Sequence, residues 1–355
     1  MAYLPTGKRP GPDRIPNKLY RVLSAVTAPI LTNVFNESRR KGALPEGMRC
    51  GIISVLYKKK DRSDPRNYRP LTLLNNDYKI LMRILTQRMN EAVLQFVSRD
   101  QNGFVPDGFI AENILRLQLL QELAEEENID ALFIFLDMEK AFDRCSWEFL
   151  QDALAAVGFG KDFIDYVSLA YSHTTPPTRQ IYVNGFLGPP FPLGSGVAQG
   201  CPLSPLLFLI IAEPLTRLFN QNRNIYGIVF TAGKKTYRHK ISQFADDSTL
   251  ILRTADIAEA LRTLQIWCDA TSMKENETKP RAATWNGLAR FSLTGRNILL
   301  QSILYGSMRY WFFTLIVPDK IIDLIEQDAK ALLWAANPEL HSNEDGTAKR
   351  SNRYT

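Results

Sequence analysis

Helical and extended spacings of hydrophobic positions alternate along the chain. Leu19, Val22, Leu23 and Val26 recur at intervals of three and four, which predicts a helix from about residue 17 to residue 40, interrupted near Pro29. A Pro/Gly-rich arm, residues 7–16, precedes it. The β-branched run Cys50–Tyr57 (CGIISVLY) reads as a strand and leads into Lys58-Lys59-Lys60. Ile80, Leu81, Ile84, Leu85 and Met89 share one face of a predicted helix over 77–96, and a second helix is predicted over 110–127. Ala131–Leu136 (ALFIFL) is a continuous apolar run bounded by charge, the pattern of a buried strand, and it delivers Asp137 at its C-terminal edge. Further helices are predicted over 146–157, 206–219 and 255–270, with a strand and turn from residue 181 and a Gly/Pro/Ser-rich loop over 194–205. Residues 237–253 read as two short strands with Asp246-Asp247 at the turn between them. A polar turn holding Lys274 and Lys279 follows, then a Trp/Leu-rich helical stretch over 299–336 and a polar tail. No internal repeat is present.

Composition narrows the class. At roughly 100–200 residues per domain, 355 residues imply two or three structural units. With 45% hydrophobic and 23% charged residues, wholesale disorder is not expected. The longest apolar stretch, residues 205–212, is far shorter than the roughly 18 residues of a membrane span. The first residues lack the apolar centre of a secretory signal. Cys50, Cys145, Cys201 and Cys268 form no CxxC pair and read as free thiols, and the three histidines are equally scattered, so neither a zinc site nor a disulfide framework is expected. Charge is segregated. Residues 1–100 carry 19 Lys+Arg against 8 Asp+Glu, a net +11, whereas residues 101–200 carry 5 against 14, a net −9. A polyanion-binding surface beside a carboxylate-rich centre is one reading; a solvated surface that happens to segregate charge is the other.

Asp137 at a strand end and Asp246-Asp247 at a hairpin tip are the centre of the candidate chemistry. Adjacent carboxylates near a core repel one another unless a cation neutralises them. Oxygen-only ligands favour Mg²⁺ or Mn²⁺ over zinc. Three such groups could hold two ions about 3.5–4 Å apart, the arrangement that serves phosphoryl transfer. A lone Asp-Asp pair is also simply a good turn, a reading weakened here by the apolar strands on both sides. Competing motifs fail. Gly227 and Gly233 are one residue too far apart for a phosphate loop, and Lys235 stands where it needs Ser or Thr. Gly194-Ser195-Gly196 opens like a dinucleotide fingerprint, but position 199 is glutamine. No GxSxG or HExxH sequence occurs.

The sequences FLDMEKAFDR (135–144), GSGVAQGCPLSP (194–205) and FADD (244–247), in this order, resemble the reverse transcriptases of non-LTR (LINE-like) retrotransposons. The resemblance extends through GPDRIPN (11–17), the basic segment ending YRP (58–70), QNGFVPDGFIAENIL (101–115), YVNG (182–185) and TSMKENETK (271–279). It implies an α+β right-hand polymerase: fingers over 1–130, a palm with an antiparallel sheet over 131–283, a truncated helical thumb over 284–340 and a polar tail over 341–355. The implied reaction is RNA-directed DNA synthesis on an RNA template and DNA primer with dNTPs, assisted by two Mg²⁺ (Mn²⁺ as a substitute), away from membranes and, from the need to reach chromosomal DNA, in the nucleus. Carried over by position, Asp137, Asp246 and Asp247 are the implied metal ligands. Met138 offers a backbone amide to the triphosphate, and Phe142 excludes a ribose 2′-hydroxyl, although on sequence alone it could equally be a core aromatic. Gln199 and Gly200 pack on the nascent base pair, Lys58 and Arg69 grip the triphosphate, and Lys279 is the candidate proton donor to pyrophosphate.

The chain also departs from the family pattern. Arg14 stands where the family has glycine, and Ala198 precedes Gln199 where the family has arginine. Lys279-Pro280 passes to FSLTGR (291–296) within a dozen residues, so the family's primer-grip hairpin is expected to be missing, as in a fragment or decayed copy. Two alternatives follow: an inert nucleic-acid-binding remnant, and a metal-dependent nuclease using the same carboxylates, in which the 194–205 loop would have no role.

Overall fold

A computed structural model describes residues 4–58, 61–106, 108–232, 235–275 and 282–284. Lys279, the 284–340 region after Thr284 and the polar tail therefore lie outside the described residues. The chain opens with helices α1 (Asn17–Val22), α2 (Ser24–Lys41) and α3 (Glu46–Arg49), then strands β1 (Cys50–Tyr57) and β2 (Tyr68–Leu74). Helices α4 (Asn76–Phe96) and α5 (Ile110–Glu126) lead to strand β3 (Ala131–Leu136), followed by α6 (Trp147–Ala156) and α7 (Lys161–Ser168). Short strands β4 (Thr178–Val183), β5 (Phe186–Leu187) and β6 (Phe191–Pro192) precede the long helix α8 (Ser204–Gln221). Strands β7 (Ile228–Ala232), β8 (Lys235–His239), β9 (Ile241–Phe244) and β10 (Asp247–Arg253), helix α9 (Ile257–Thr271) and strand β11 (Ala282–Thr284) complete it.

Two sheets organise these elements. The first has the order β2-β1-β4-β5, with β6 also on β4, and its parallel β1–β4 pair sets Cys50 beside Thr178. The second has the order β11-β3-β10-β9, antiparallel throughout. A separate hairpin joins β7 to β8. The unbroken apolar run of β3 is explained by burial of both faces. Leu132, Ile134 and Leu136 join the main core with Leu250 and Leu252 of β10, while Ala131, Phe133 and Phe135 face a smaller core with Leu120, Ala124 and Ile251.

Helix α8 is apolar on every side from Leu206 to Ala212 and is correspondingly buried there, packed against α4, α6, α9 and β9. Pro214 inside it has no N–H to donate to Ile210, and the Ile211 carbonyl beside it accepts the Trp267 indole N–H at 3.0 Å. The expected interruption near Pro29 is not observed. The break falls at Leu23, and Pro29 is accommodated on the exposed side of α2, where its missing N–H costs one solvent-facing hydrogen bond. Residues 237–253 hold three strands or parts of strands rather than two, because the chain reverses at Lys240, between β8 and β9. No described helix is long and apolar enough to cross a membrane.

Candidate active site

Register places the aspartates. Ser248 of β10 pairs with Leu136 of β3 in the antiparallel ladder, so one step further Asp247 falls opposite Asp137. Asp247 also closes the β9–β10 hairpin against Phe244, leaving Ala245 and Asp246 as a two-residue loop. Ala245 has φ 57, as the first position of a tight hairpin loop demands. The three carboxylates predicted from sequence thus lie at one end of two adjacent strands, Asp137 and Asp246 half-buried and Asp247 exposed.

Among the described residues, no three His, Cys, Asp or Glu side chains converge closely enough to hold a metal ion by themselves. The donor set nevertheless fits a hard divalent cation, being carboxylate only and free of imidazole and thiolate. Mg²⁺ is commonly held by one or two carboxylates, with water and substrate phosphate completing its shell, so an open strand end suits it. The cysteines nearby are not alternative nucleophiles. Burial pushes the Cys145 thiol far above its ordinary range and that of Cys268 up to about 11.

The hairpin tip is braced by buried amides that sequence reasoning did not assign. Gln101, 2% exposed, donates from Nε2 to the Ala245 carbonyl (3.2 Å) and accepts at Oε1 from the Ala245 N–H (2.9 Å) and the Gly103 N–H (2.8 Å). Gly103 lies so close that a Cβ there would sit 2.1 Å from the Ala245 nitrogen. Gln243 is held in turn: its carbonyl accepts from the Asn102 N–H (3.0 Å) and Asn113 Nδ2 (2.8 Å), and its side chain bonds Thr216 and Ser248. The signal was present in QNGF and in a glutamine within an apolar strand, but its partners are more than a hundred residues away.

Phe142 follows the turn after Asp137 and is both packed and accessible. Its ring stacks on Phe208 (5.1 Å, 14°) and meets Phe104 edge-on (6.1 Å, 86°), yet it remains half-buried. Met138 is buried and bridges Glu275, and the Glu139 N–H donates to the Lys274 carbonyl (2.8 Å), so 274–275 lies alongside 138–139. The 194–203 loop is stitched to the Phe142 turn by Val197 N–H to the Phe142 carbonyl (2.7 Å), Gly196 N–H to the Cys145 carbonyl (2.8 Å) and the Trp147 indole to the Gly196 carbonyl (2.8 Å).

The far end of that loop reaches the first sheet. The Thr72 N–H donates to the Gln199 carbonyl (2.8 Å), docking the loop on the outer edge of β2. Arg69 pairs with Leu56, and the Lys58 N–H donates to the Asn67 carbonyl (2.8 Å). By the two-residue period of strands, Lys58 and Arg69 share a face with Leu71, which lies 3.4 Å from where a Gly200 Cβ would stand. Both basic residues are exposed. The structure thus gathers the aspartates with Met138 and Phe142 at one end of the second sheet. Lys58 and Arg69 lie at one end of the β1–β2 hairpin of the first, Gln199 and Gly200 dock further along β2, and the 194–203 loop joins the two sheets.

The family model for reverse transcriptase (RNA-dependent DNA polymerase) matches residues 57–304. The transposon TX1 uncharacterized 149 kDa protein of Xenopus laevis is 30% identical over 280 residues, 79% of this chain and 21% of that protein. The Pol polyprotein of the type-2 retrotransposable element R2DM of Drosophila melanogaster is 30% identical over 208 residues, 59% of this chain and 19% of that protein. The chain therefore spans about a fifth of the length of these relatives. A solved telomerase from Candida Tropicalis superposes over 73% of this chain and 44% of its own, with 13% identity and a TM-score of 0.45. The chain belongs to the reverse transcriptase family and is homologous to the polyproteins of non-LTR, LINE-like retrotransposons.

Proposed function

We propose that the chain is the polymerising domain of a retroelement protein: an RNA-directed DNA polymerase that extends a primer 3′-hydroxyl with dNTPs. The observation that carries this reading is the β3–β10 register, whose last pair, Leu136 with Ser248, brings Asp137 to the same sheet end as Asp246 and Asp247 at the β9–β10 hairpin. In the reaction the primer O3′ forms a bond to the α-phosphorus while the bond from that phosphorus to the bridging oxygen breaks, releasing pyrophosphate. Mg²⁺ held by Asp137, Asp246 and Asp247 would supply positive charge at the attacking and leaving oxygens. Lys58 and Arg69 are suited to gripping the triphosphate by charge-assisted hydrogen bonds. Phe142, backed by Phe208, presents a ring fixed firmly enough to reject a 2′-hydroxyl. Gln199 and Gly200 complete the floor under the new base pair, and Lys279 is assigned proton donation to pyrophosphate. The first sheet serves as fingers and the second as palm.

The test is primer extension on an RNA template with dNTPs and Mg²⁺, comparing wild type with Asp246→Ala/Asp247→Ala. Extension by wild type alone supports the proposal; equal extension by both removes the aspartates from the chemistry. The short passage from Lys279 to Phe291 motivates the inert-remnant reading. It predicts salt-sensitive template–primer binding with no extension by either protein.

A further inference from the structure

We propose that Gln101 is a positioning residue for the cation-binding aspartates, its side-chain amide fixing the hairpin tip from which Asp246 and Asp247 project. The inference rests on the reading above only in taking those aspartates as cation ligands. Ala245, immediately before Asp246, occupies the left-handed region at φ 57, which is strained for a non-glycine residue. Such a conformation persists only where the surroundings over-determine it. Gln101 does so by bonding both the N–H and the carbonyl of Ala245, the two bonds a neighbouring strand would make.

The clamp is itself anchored. Gln101 bridges Gln243 in parallel alignment, and Gln243 is tied to Asn113 of α5 and Thr216 of α8. Gly103 closes the remaining space against the Ala245 nitrogen. Amides are the side chains this position requires. They satisfy both backbone groups of Ala245, and they bring no charge that would compete with the carboxylates for the cation or repel it. The arrangement parallels the partners that orient ligands around metal sites, whose loss costs about 10–100-fold in affinity.

The experiment uses the full chain and Mn²⁺, with bound ion measured by electron paramagnetic resonance. Asp246→Asn/Asp247→Asn defines the signal without the site. Gln101→Met, close in shape but unable to make either bond, is expected to weaken Mn²⁺ binding about 10–100-fold, with circular dichroism and template–primer affinity unchanged. Adding Ala245→Gly is expected to restore part of the loss, since glycine adopts φ above zero without steric cost. Wild-type Mn²⁺ affinity in Gln101→Met, or a loss that Ala245→Gly leaves untouched, overturns the proposal. Should Gln101→Met fail to fold, Gly103→Ala reaches the same tip through the backbone, and undiminished Mn²⁺ binding there overturns it equally. A wild type that binds Mn²⁺ at the aspartates but extends no primer refutes only the polymerase reading. A wild type indistinguishable from the Asp246→Asn/Asp247→Asn variant refutes both.

Discussion

At Gly200 a single hydrogen atom decides whether the glutamine loop can sit on the edge of the first sheet. Its φ is 112, and a Cβ would stand 2.7 Å from the Thr72 carbonyl oxygen. Gly200→Ala should therefore lift the loop from β2, lowering stability by about 1–3 kcal/mol and raising the KM for dNTP more than it lowers kcat. Denaturant unfolding together with steady-state incorporation checks both parts, and an unchanged KM would show that the docking has no bearing on nucleotide. Arg14 offers the opposite case. It stands where the family has glycine and is held at φ 59, donating its N–H to the Gly11 carbonyl at 3.0 Å. Arg14→Gly should relieve that strain and stabilise the chain by about 0.5–1 kcal/mol, the excess of left-handed strain over the added freedom of the unfolded chain. A destabilised Arg14→Gly would mean that the arginine side chain contributes contacts worth more than the strain.

The elements around the site depend on one buried cation. Lys240, 3% exposed, sits between β8 and β9, and its Nζ donates to the carbonyls of Phe219 (3.0 Å), Asn220 (3.2 Å) and Asn222 (2.6 Å). These are orphan acceptors at the end of α8, whose last turn carries no basic residue of its own. Lys240→Met keeps the aliphatic stem and removes the donors, so it should lower stability by about 1.5–3 kcal/mol. Unfolding midpoints give the answer, and a loss below half a unit of that range would assign the capping to water. The sequence could not show this cap, because a lysine at the foot of a strand looks like an ordinary turn and its acceptors lie about twenty residues upstream. What was legible was whatever repeats locally. The apolar run of β3, the aspartates at strand ends and the helical stripe of α4, apart from the exposed Ile84, fall where their spacing put them. The break at Leu23, the short helix α7 and the amide network under the hairpin were not legible. The amide network joins segments far apart in sequence, so QNGF and the strand glutamine did not reveal the fit of Gln101 to Ala245, 144 residues away.

The site lies along the seam between two sheets, each contributing one kind of charge. The first sheet brings the basic hairpin of β1 and β2 and the second brings the aspartates, with the 194–203 loop bonded to both sides. Charge along the chain follows this division only in part: the first hundred residues carry a net +11, but Asp246 and Asp247 lie outside the acidic 101–200 segment that holds Asp137. Under the proposed function the basic residues have two distinct anion-binding tasks: a broad surface for a nucleic-acid backbone, and Lys58 with Arg69 for a triphosphate. The two respond differently to salt. A backbone surface neutralising about five phosphates gives a slope of log affinity against log salt near −4.5, a loss of about 500-fold between 50 and 200 mM. Lys58→Ala/Arg69→Ala should leave that slope within about one unit of wild type, while raising the dNTP KM about 10–100-fold through loss of two charge-assisted contacts. Fluorescence anisotropy of a labelled template–primer across the salt range, beside single-nucleotide incorporation, separates the two tasks. If the double variant flattens the salt slope by two units and leaves the nucleotide KM untouched, Lys58 and Arg69 belong to the backbone surface instead. The triphosphate grip would then have to be sought nearer the aspartates, on the second sheet's side of the seam.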